Sequence, residues 1–241
     1  TISEELYVVQ ECETIFPGKI AGHYEKSKKI REYFVKVEEA ESKVFGKSYI
    51  NNLKKNIKIL PLVFGDLNKC SIKFLSDFLK SDLYIVFGSS YIKHELIDFL
   101  VEKKAINIHM GVSPYYKGTD CNFWALFDDN PHLVGSTIHL LSKGLDSGDI
   151  LYHAMSNIKS NAFDYTMSTV KSAFISIVNK IKDETIFNTK PFIQDSKKKI
   201  RYSKKIEFND KIVTEYFKKK IDLNKKKFDE NLLKQPFFLE K

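Results

Sequence analysis

Ala105-Ile106-Asn107-Ile108-His109 alternates apolar and polar side chains, then breaks into Met110-Gly111-Val112-Ser113-Pro114 and on to Gly118. In a strand, residues two apart share a face, so this stretch places Asn107 and His109 on one side. The turn-forming residues that follow put that pair at the strand's end. A second stretch, GSTIHLLSKGLDSGDIL from Gly135 to Leu151, supplies a partner. Its β-branched run 134–138 reads as a strand, and the loop after it carries Gly144, Asp146, Gly148 and Asp149. An amide, an imidazole and a carboxylate meeting at strand ends is one way to build an acyl-transfer site. Asn, Asp and Gly also crowd ordinary turns, and an isolated histidine beside a strand is commonly structural. The spacing alone leaves both readings open.

Outward from this core, strands alternate with helices. Strands are expected at 6–9, at 57–60 with Pro61 ending it, and at 83–87. Helical spacing of apolar residues marks 24–45, 72–79, 93–103 and 162–182. The alternation predicts an α/β fold, a mostly parallel twisted sheet with helices on both faces. Ligands in such sheets bind beyond the carboxyl ends of the strands, where Gly88, Asn107, His109 and the Asp146 loop can meet. After about residue 185 the composition shifts to the basic run DSKKKIRYSKK, with helices expected at 209–220 and 225–233. The division read here is a catalytic domain over 1–185 and a small C-terminal appendage over 186–241.

The chain has 241 residues, 43% of them hydrophobic, enough for one large domain and an appendage. No apolar run is long enough to span a membrane and no leader is read, so no membrane partner is expected. Cys12, Cys70 and Cys121 are scattered and form no metal-ligand spacing. A cytoplasmic, metal-free protein is therefore expected. The net charge is +8, yet of 39 basic residues only Arg31 and Arg201 are arginines. Nucleic-acid and phosphate sites favour arginine forks, so the lysines are read as solvated surface rather than a nucleic-acid partner's footprint.

The paired motifs NIH…SPYYKG and GSTIH…GLDSGDIL resemble the signature of the folate-dependent formyltransferases. That family includes glycinamide ribonucleotide transformylase, methionyl-tRNA formyltransferase and the sugar N-formyltransferases. The resemblance runs over about 83–182. It implies a Rossmann-like formyltransferase fold, here apparently lacking the first strand, with 10-formyltetrahydrofolate as formyl donor and co-substrate. It also implies Asn107, His109 and Asp146 as catalytic residues. The folate is expected between Phe87, Gly88, Ser89, Tyr91 and Ile92 on one side and Leu141, Ser142, Lys143, Gly144 and Leu145 on the other. His139, Phe123 and Trp124 are read as structural. Two departures bear on the acceptor: Met110-Gly111-Val112-Ser113-Pro114 stands where members often have Pro-Ser-Leu-Leu-Pro, and Lys117 where many have Arg.

The acceptor is expected to be a primary amine of a small substrate, a nucleotide-linked amino sugar, with glycinamide ribonucleotide as the alternative. Too little chain follows residue 185 for the tRNA-binding domain of the methionyl-tRNA enzymes. From another class, the chain could be an inactive formyltransferase-like fold that binds polyanions. The apolar residues of the tail, Ile206, Phe208, Ile212, Val213, Tyr216, Phe217, Leu232, Leu233, Phe237 and Phe238, are expected to cover the core or to form a homodimer interface.

Overall fold

A computed structural model describes residues 3–12, 27–46, 55–225 and 237–240. The chain begins with β1 (Leu6–Cys12), α1 (Lys28–Phe45), β2 (Ile57–Val63), α2 (Ile72–Leu75) and β3 (Ile85–Phe87). It continues with α3 (His94–Glu102), β4 (Ile106–His109), β5 (Tyr116–Gly118), α4 (Cys121–Phe127), β6 (Ser136–Leu140) and β7 (Ile150–Ser156). Last come α5 (Ala162–Lys182), α6 (Thr185–Asn188), β8 (Arg201–Ser203), α7 (Asp210–Lys218) and β9 (Phe237–Glu240). None of the helices described is long and apolar enough to cross a membrane.

The central sheet has the order β3-β4-β6-β7-β9, and β1 pairs with β2. Among the described residues, four of the six strand pairings are parallel, as the alternation of strands and helices predicts. The exception is β6, which runs against both β4 and β7. The short loop 141–149 between β6 and β7 dictates the second of these, because a hairpin connection can join only antiparallel neighbours. Helices cover both faces. Ile106, Ile108, Ile138 and Tyr152 pack on Ala173 and Ile177 of α5. Phe87 meets Phe174 of α5 at 5.0 Å between ring centres, whereas its neighbour Val86 packs with Leu96, Ile97 and Leu100 of α3. Val86 pairs with Asn107, so the polar residues of β4 emerge on the α3 side.

Pro61, read from the sequence as the end of its strand, sits inside β2 opposite Gln10. Among the described residues β2 pairs only with β1, and a strand with one unpaired edge tolerates a residue that lacks an N–H. The run read at 134–138 is displaced: the strand is Ser136–Leu140.

The residues beyond 185 are joined to the rest by strand pairing and by helix packing. β8 pairs with β5, β9 adds the fifth strand beside β7, and α7 buries Val213 and packs Tyr216 with Phe123 and Trp124. Tyr33 of α1 packs against Phe123, Phe163, Phe208 and Tyr216 with ring centres 5.2–5.8 Å apart. Burying a side chain of this size contributes about 1.5–3 kcal/mol. Phe208, Ile212, Tyr216 and Phe217 thus pack on their own chain, where Val213 is buried as well. Ile206 stays exposed. Leu232, Leu233 and the rest of the expected helix 225–233 past Lys225 lie outside the described residues.

Arg201 shows why one of the two arginines stands in this tail. Its guanidinium donates to both Asp128 carboxylate oxygens at 2.9 and 2.8 Å, and it lies 4.3 Å over the Trp124 ring. A lysine cannot make that planar, two-pronged contact.

Candidate active site

Alternation along β4 buries Ile106 and Ile108 against α5 and sends Asn107 and His109 to the other face. On β6 the same alternation buries Ile138 and presents Thr137 and His139 beside them, because Asn107 faces His139 and His109 faces Thr137 in the strand register. Polar contacts follow from this pairing. His139 Nδ1 lies 2.8 Å from the Leu140 carbonyl, which can only accept, so Nδ1 carries the proton. Nε2 is then the acceptor, and it takes an N–H from the Asn107 amide at 3.0 Å. Burial pushes the His139 ring down from 6.5 to about 4, with the Leu140 carbonyl opposing and His109 assisting. The ring is therefore a neutral acceptor that sets which way the Asn107 amide faces.

Asp146 comes from loop 141–149 with a left-handed backbone, φ +47°. Its two carboxylate oxygens have separate partners. Oδ1 is 3.3 Å from His109 Nδ1, and Oδ2 accepts the Gly118 N–H at 3.0 Å. The other ring nitrogen, His109 Nε2, is 3.1 Å from the Tyr116 carbonyl. A protonated ring can donate to both acceptors at once; a neutral one serves a single acceptor. Both His109 and Asp146 are over nine-tenths buried. Gly118 is pinned in turn: its φ is +96°, and a Cβ there would fall 2.0 Å from the Ser203 carbonyl on β8.

The loop after β4 is fixed by Thr137. Its hydroxyl donates to the Gly111 carbonyl at 2.6 Å and accepts the Ser113 N–H at 2.9 Å. With that proton committed, His153 Nδ1 at 3.1 Å is the donor to the same oxygen.

Asn107, His109 and Asp146 all line one cleft of about 920 Å³. Of the expected folate contacts, Phe87, Gly88, Ser89, Tyr91, Ile92, Leu141, Ser142, Gly144 and Leu145 line it too. The two loops are bridged by the Tyr91 hydroxyl, which donates to the Lys143 carbonyl at 2.6 Å. The Lys143 side chain is not part of the lining and pairs with Asp98 at 2.5 Å. At the end of β1, the Glu11 carboxylate accepts from the Ser90 N–H, the Ser90 hydroxyl and the Gly65 N–H at 2.6–2.9 Å. That ties the 87–92 loop to the first strand pair. Tyr33, Phe34, Phe123, Met167 and Val170 also line the cleft. Burial lowers the Lys117 ammonium beside the site, with Asp146 opposing.

Sequence reasoning missed several contributors. Asp120 lines the cleft in a left-handed conformation (φ +56°), and burial raises its carboxyl. Asp-Cys-Asn following a glycine reads as an ordinary turn. Glu11 and Thr137 sit in strands and carry no local signal of the loops they hold. Gln194 contacts the Asp146 loop from the tail, far away in sequence.

Residues 77–174 match the formyl transferase family, so this segment of the chain is similar to that class of enzyme. Solved structures are similar over most of the chain. The formyltransferase PseJ of Anoxybacillus kamchatkensis, solved with UDP-4,6-dideoxy-4-formamido-L-AltNAc and tetrahydrofolate, is 19% identical. That match covers 84% of this chain and 87% of the other, with a TM-score of 0.49. A candidate sugar N-formyltransferase of Mycobacterium tuberculosis is 15% identical over 86% of this chain and 77% of its own, with a TM-score of 0.50. The phosphoribosylglycinamide formyltransferase of Anaplasma phagocytophilum is 18% identical, with 75% and 88% covered and a TM-score of 0.45.

Proposed function

We propose that the protein transfers a formyl group from 10-formyltetrahydrofolate to a primary amine of a small substrate, and that Asn107, His109 and Asp146 carry the reaction. The observation behind this reading is the convergence of an amide, an imidazole and a buried carboxylate in one cleft. The bound donor supplies an electrophilic formyl carbon. One Asn107 N–H is committed to His139; the second is free to donate to the formyl oxygen as negative charge grows there. Fixed donors aimed at developing charge contribute about 10²- to 10³-fold in rate. His109 gives its Nε2 proton to the departing folate nitrogen, exchanging the Tyr116 carbonyl for the reacting group. Asp146 holds the imidazolium at Nδ1 and, through an ordered water, receives the proton lost by the amine. Acid–base transfer of this kind adds about 10²- to 10⁴-fold.

The loops 87–92 and 141–145 suit the folate because they are held together by the Tyr91 bridge and offer backbone groups to a planar ring. We assign the acceptor to the nucleotide-linked amino sugars, since a cleft of about 920 Å³ has room for an acceptor of that size beside the folate. The test is a transfer assay with 10-formyltetrahydrofolate against a panel of aminosugar nucleotides, glycinamide ribonucleotide and methionyl-tRNA. Amine-dependent release of tetrahydrofolate with an aminosugar nucleotide is the expected result. Turnover with glycinamide ribonucleotide alone would overturn the acceptor assignment, and none with any amine would overturn the whole reading.

A further inference from the structure

Asp146 serves His109 only while its left-handed backbone holds the carboxylate in place. Residues of its own loop do not account for that hold. Ser142 bonds to Ser147 at 2.9 Å and donates to the Gly144 carbonyl at 3.0 Å, leaving the Asp146 carbonyl untouched. Gln194, outside the segment that matches the family, reaches it. Its Nε2 donates to the Asp146 carbonyl at 2.9 Å and to the Gly148 carbonyl at 2.6 Å. Both amide protons are used, one on each carbonyl. The amide cannot be turned over, because Oε1 would then face two carbonyl oxygens. Among the described residues no donor reaches the buried Oε1.

The segment that carries Gln194 is anchored beside the loop. Phe192 exchanges both backbone hydrogen bonds with Ile150, at 2.9 Å each, where the loop re-enters β7. Segment 192–194 thus clamps the loop at the first residue of β7 and at two carbonyls on either side of Ser147.

We propose that Gln194 is a positioning residue: it fixes the Asp146 backbone so that the carboxylate meets His109 Nδ1. This rests on the reading that the His109–Asp146 pair acts in transfer. Gln194→Met keeps the length and packing of the side chain and removes both donors. Gln194→Glu keeps the shape and sets a carboxylate against two carbonyl oxygens. Misplacing a catalytic group by about 1 Å can lower turnover by about 10²-fold. Both variants should therefore lose about 10-fold or more in kcat, with the KM for the formyl donor within about threefold of wild type. A Gln194→Met change made in an Asp146→Asn protein should add almost nothing, because the group it positions is already gone.

A second readout is independent of turnover. The ¹⁵N signals of the His109 ring, identified by their loss in His109→Gln, report the Nδ1 contact. In Gln194→Met the Nδ1 signal should move towards its position in Asp146→Asn. An Nδ1 signal left at its wild-type position in Gln194→Met, while Asp146→Asn shifts it, overturns the proposal. So does wild-type kcat in both Gln194 variants, or a full additional loss in the double variant. If the unaltered protein transfers formyl to no amine, the functional reading fails, and the ring signals alone decide the role of Gln194.

Discussion

Acidification should weaken the fold through His139 in a way that a single substitution can isolate. The ring is buried, its Nδ1 proton is given to the Leu140 carbonyl, and Nε2 accepts from Asn107. A second proton would have to sit on Nε2, facing an N–H of the Asn107 amide. Burial accordingly holds the ring at about 4, against 6.5 ordinarily. Above pH 6.5 both the folded and the unfolded ring are neutral, and His139 adds no pH dependence. As the pH falls from 6.5 towards 4, the unfolded chain takes up a proton that the folded chain refuses. Stability is then lost at about 1.4 kcal/mol per pH unit, or roughly 2 kcal/mol by pH 5 and about 3 kcal/mol by pH 4, where the loss levels off. His139→Gln retains an acceptor for Asn107 and cannot titrate. Urea unfolding of both proteins at pH 7, 6 and 5, followed by Trp124 fluorescence, gives the comparison. The other histidines and the carboxylates contribute equally to both, so the variant should lose about 2 kcal/mol less between pH 7 and 5. Parallel losses in the two proteins would refute the buried, neutral role assigned to His139.

Three further outcomes are expected. Gly111→Ala sets a Cβ 2.5 Å from Cys121 Cβ and 2.6 Å from His109 Nε2. It should cost about 1–3 kcal/mol in urea unfolding and lower formyl transfer by displacing the ring; a variant with wild-type turnover would show that the ring has room to move. Arg201→Lys breaks the two-pronged contact with Asp128 and the stacking on Trp124, and should cost about 1–3 kcal/mol. A negligible loss would mean that the tail is held without it. Tyr91→Phe removes the hydroxyl that bridges the two loops. It should raise the KM for the formyl donor about fivefold, the worth of one hydrogen bond, with kcat nearly unchanged; an unchanged KM would separate the bridge from folate binding.

Local pattern carried the parts of this molecule that follow from periodicity. The alternation at 105–109 places Asn107 and His109 on one face, and the apolar spacing at 162–182 matches α5 at both ends. The Asp146 loop is legible as a turn between strands and, by family resemblance, as a partner of His109. Contacts made between distant segments were not legible. Nothing near Gln194 shows that its amide will meet the Asp146 carbonyl, 48 residues away. The Arg201–Asp128 fork spans 73 residues, and β8 is only three residues long. His139 reads from the sequence as structural, and its acceptor role towards Asn107 depends on the β4–β6 register, which the displaced start of β6 concealed. The apolar residues of the tail were visible as a group in need of cover. That Tyr33 and Phe123 supply the cover emerges only once α1, α4 and α7 are packed together.

The central claim is that Asn107, His109 and Asp146 together carry formyl transfer. Its most direct test is single-turnover transfer from 10-formyltetrahydrofolate to the best amine of the acceptor panel, measured for the unaltered chain and for Asn107→Ala, His109→Ala and Asp146→Ala. Each variant should retain its unfolding transition and bind 5-formyltetrahydrofolate, while transferring at least about 10²-fold more slowly. A folded variant that transfers at the wild-type rate would remove that residue from the reaction, and three such variants would contradict the account.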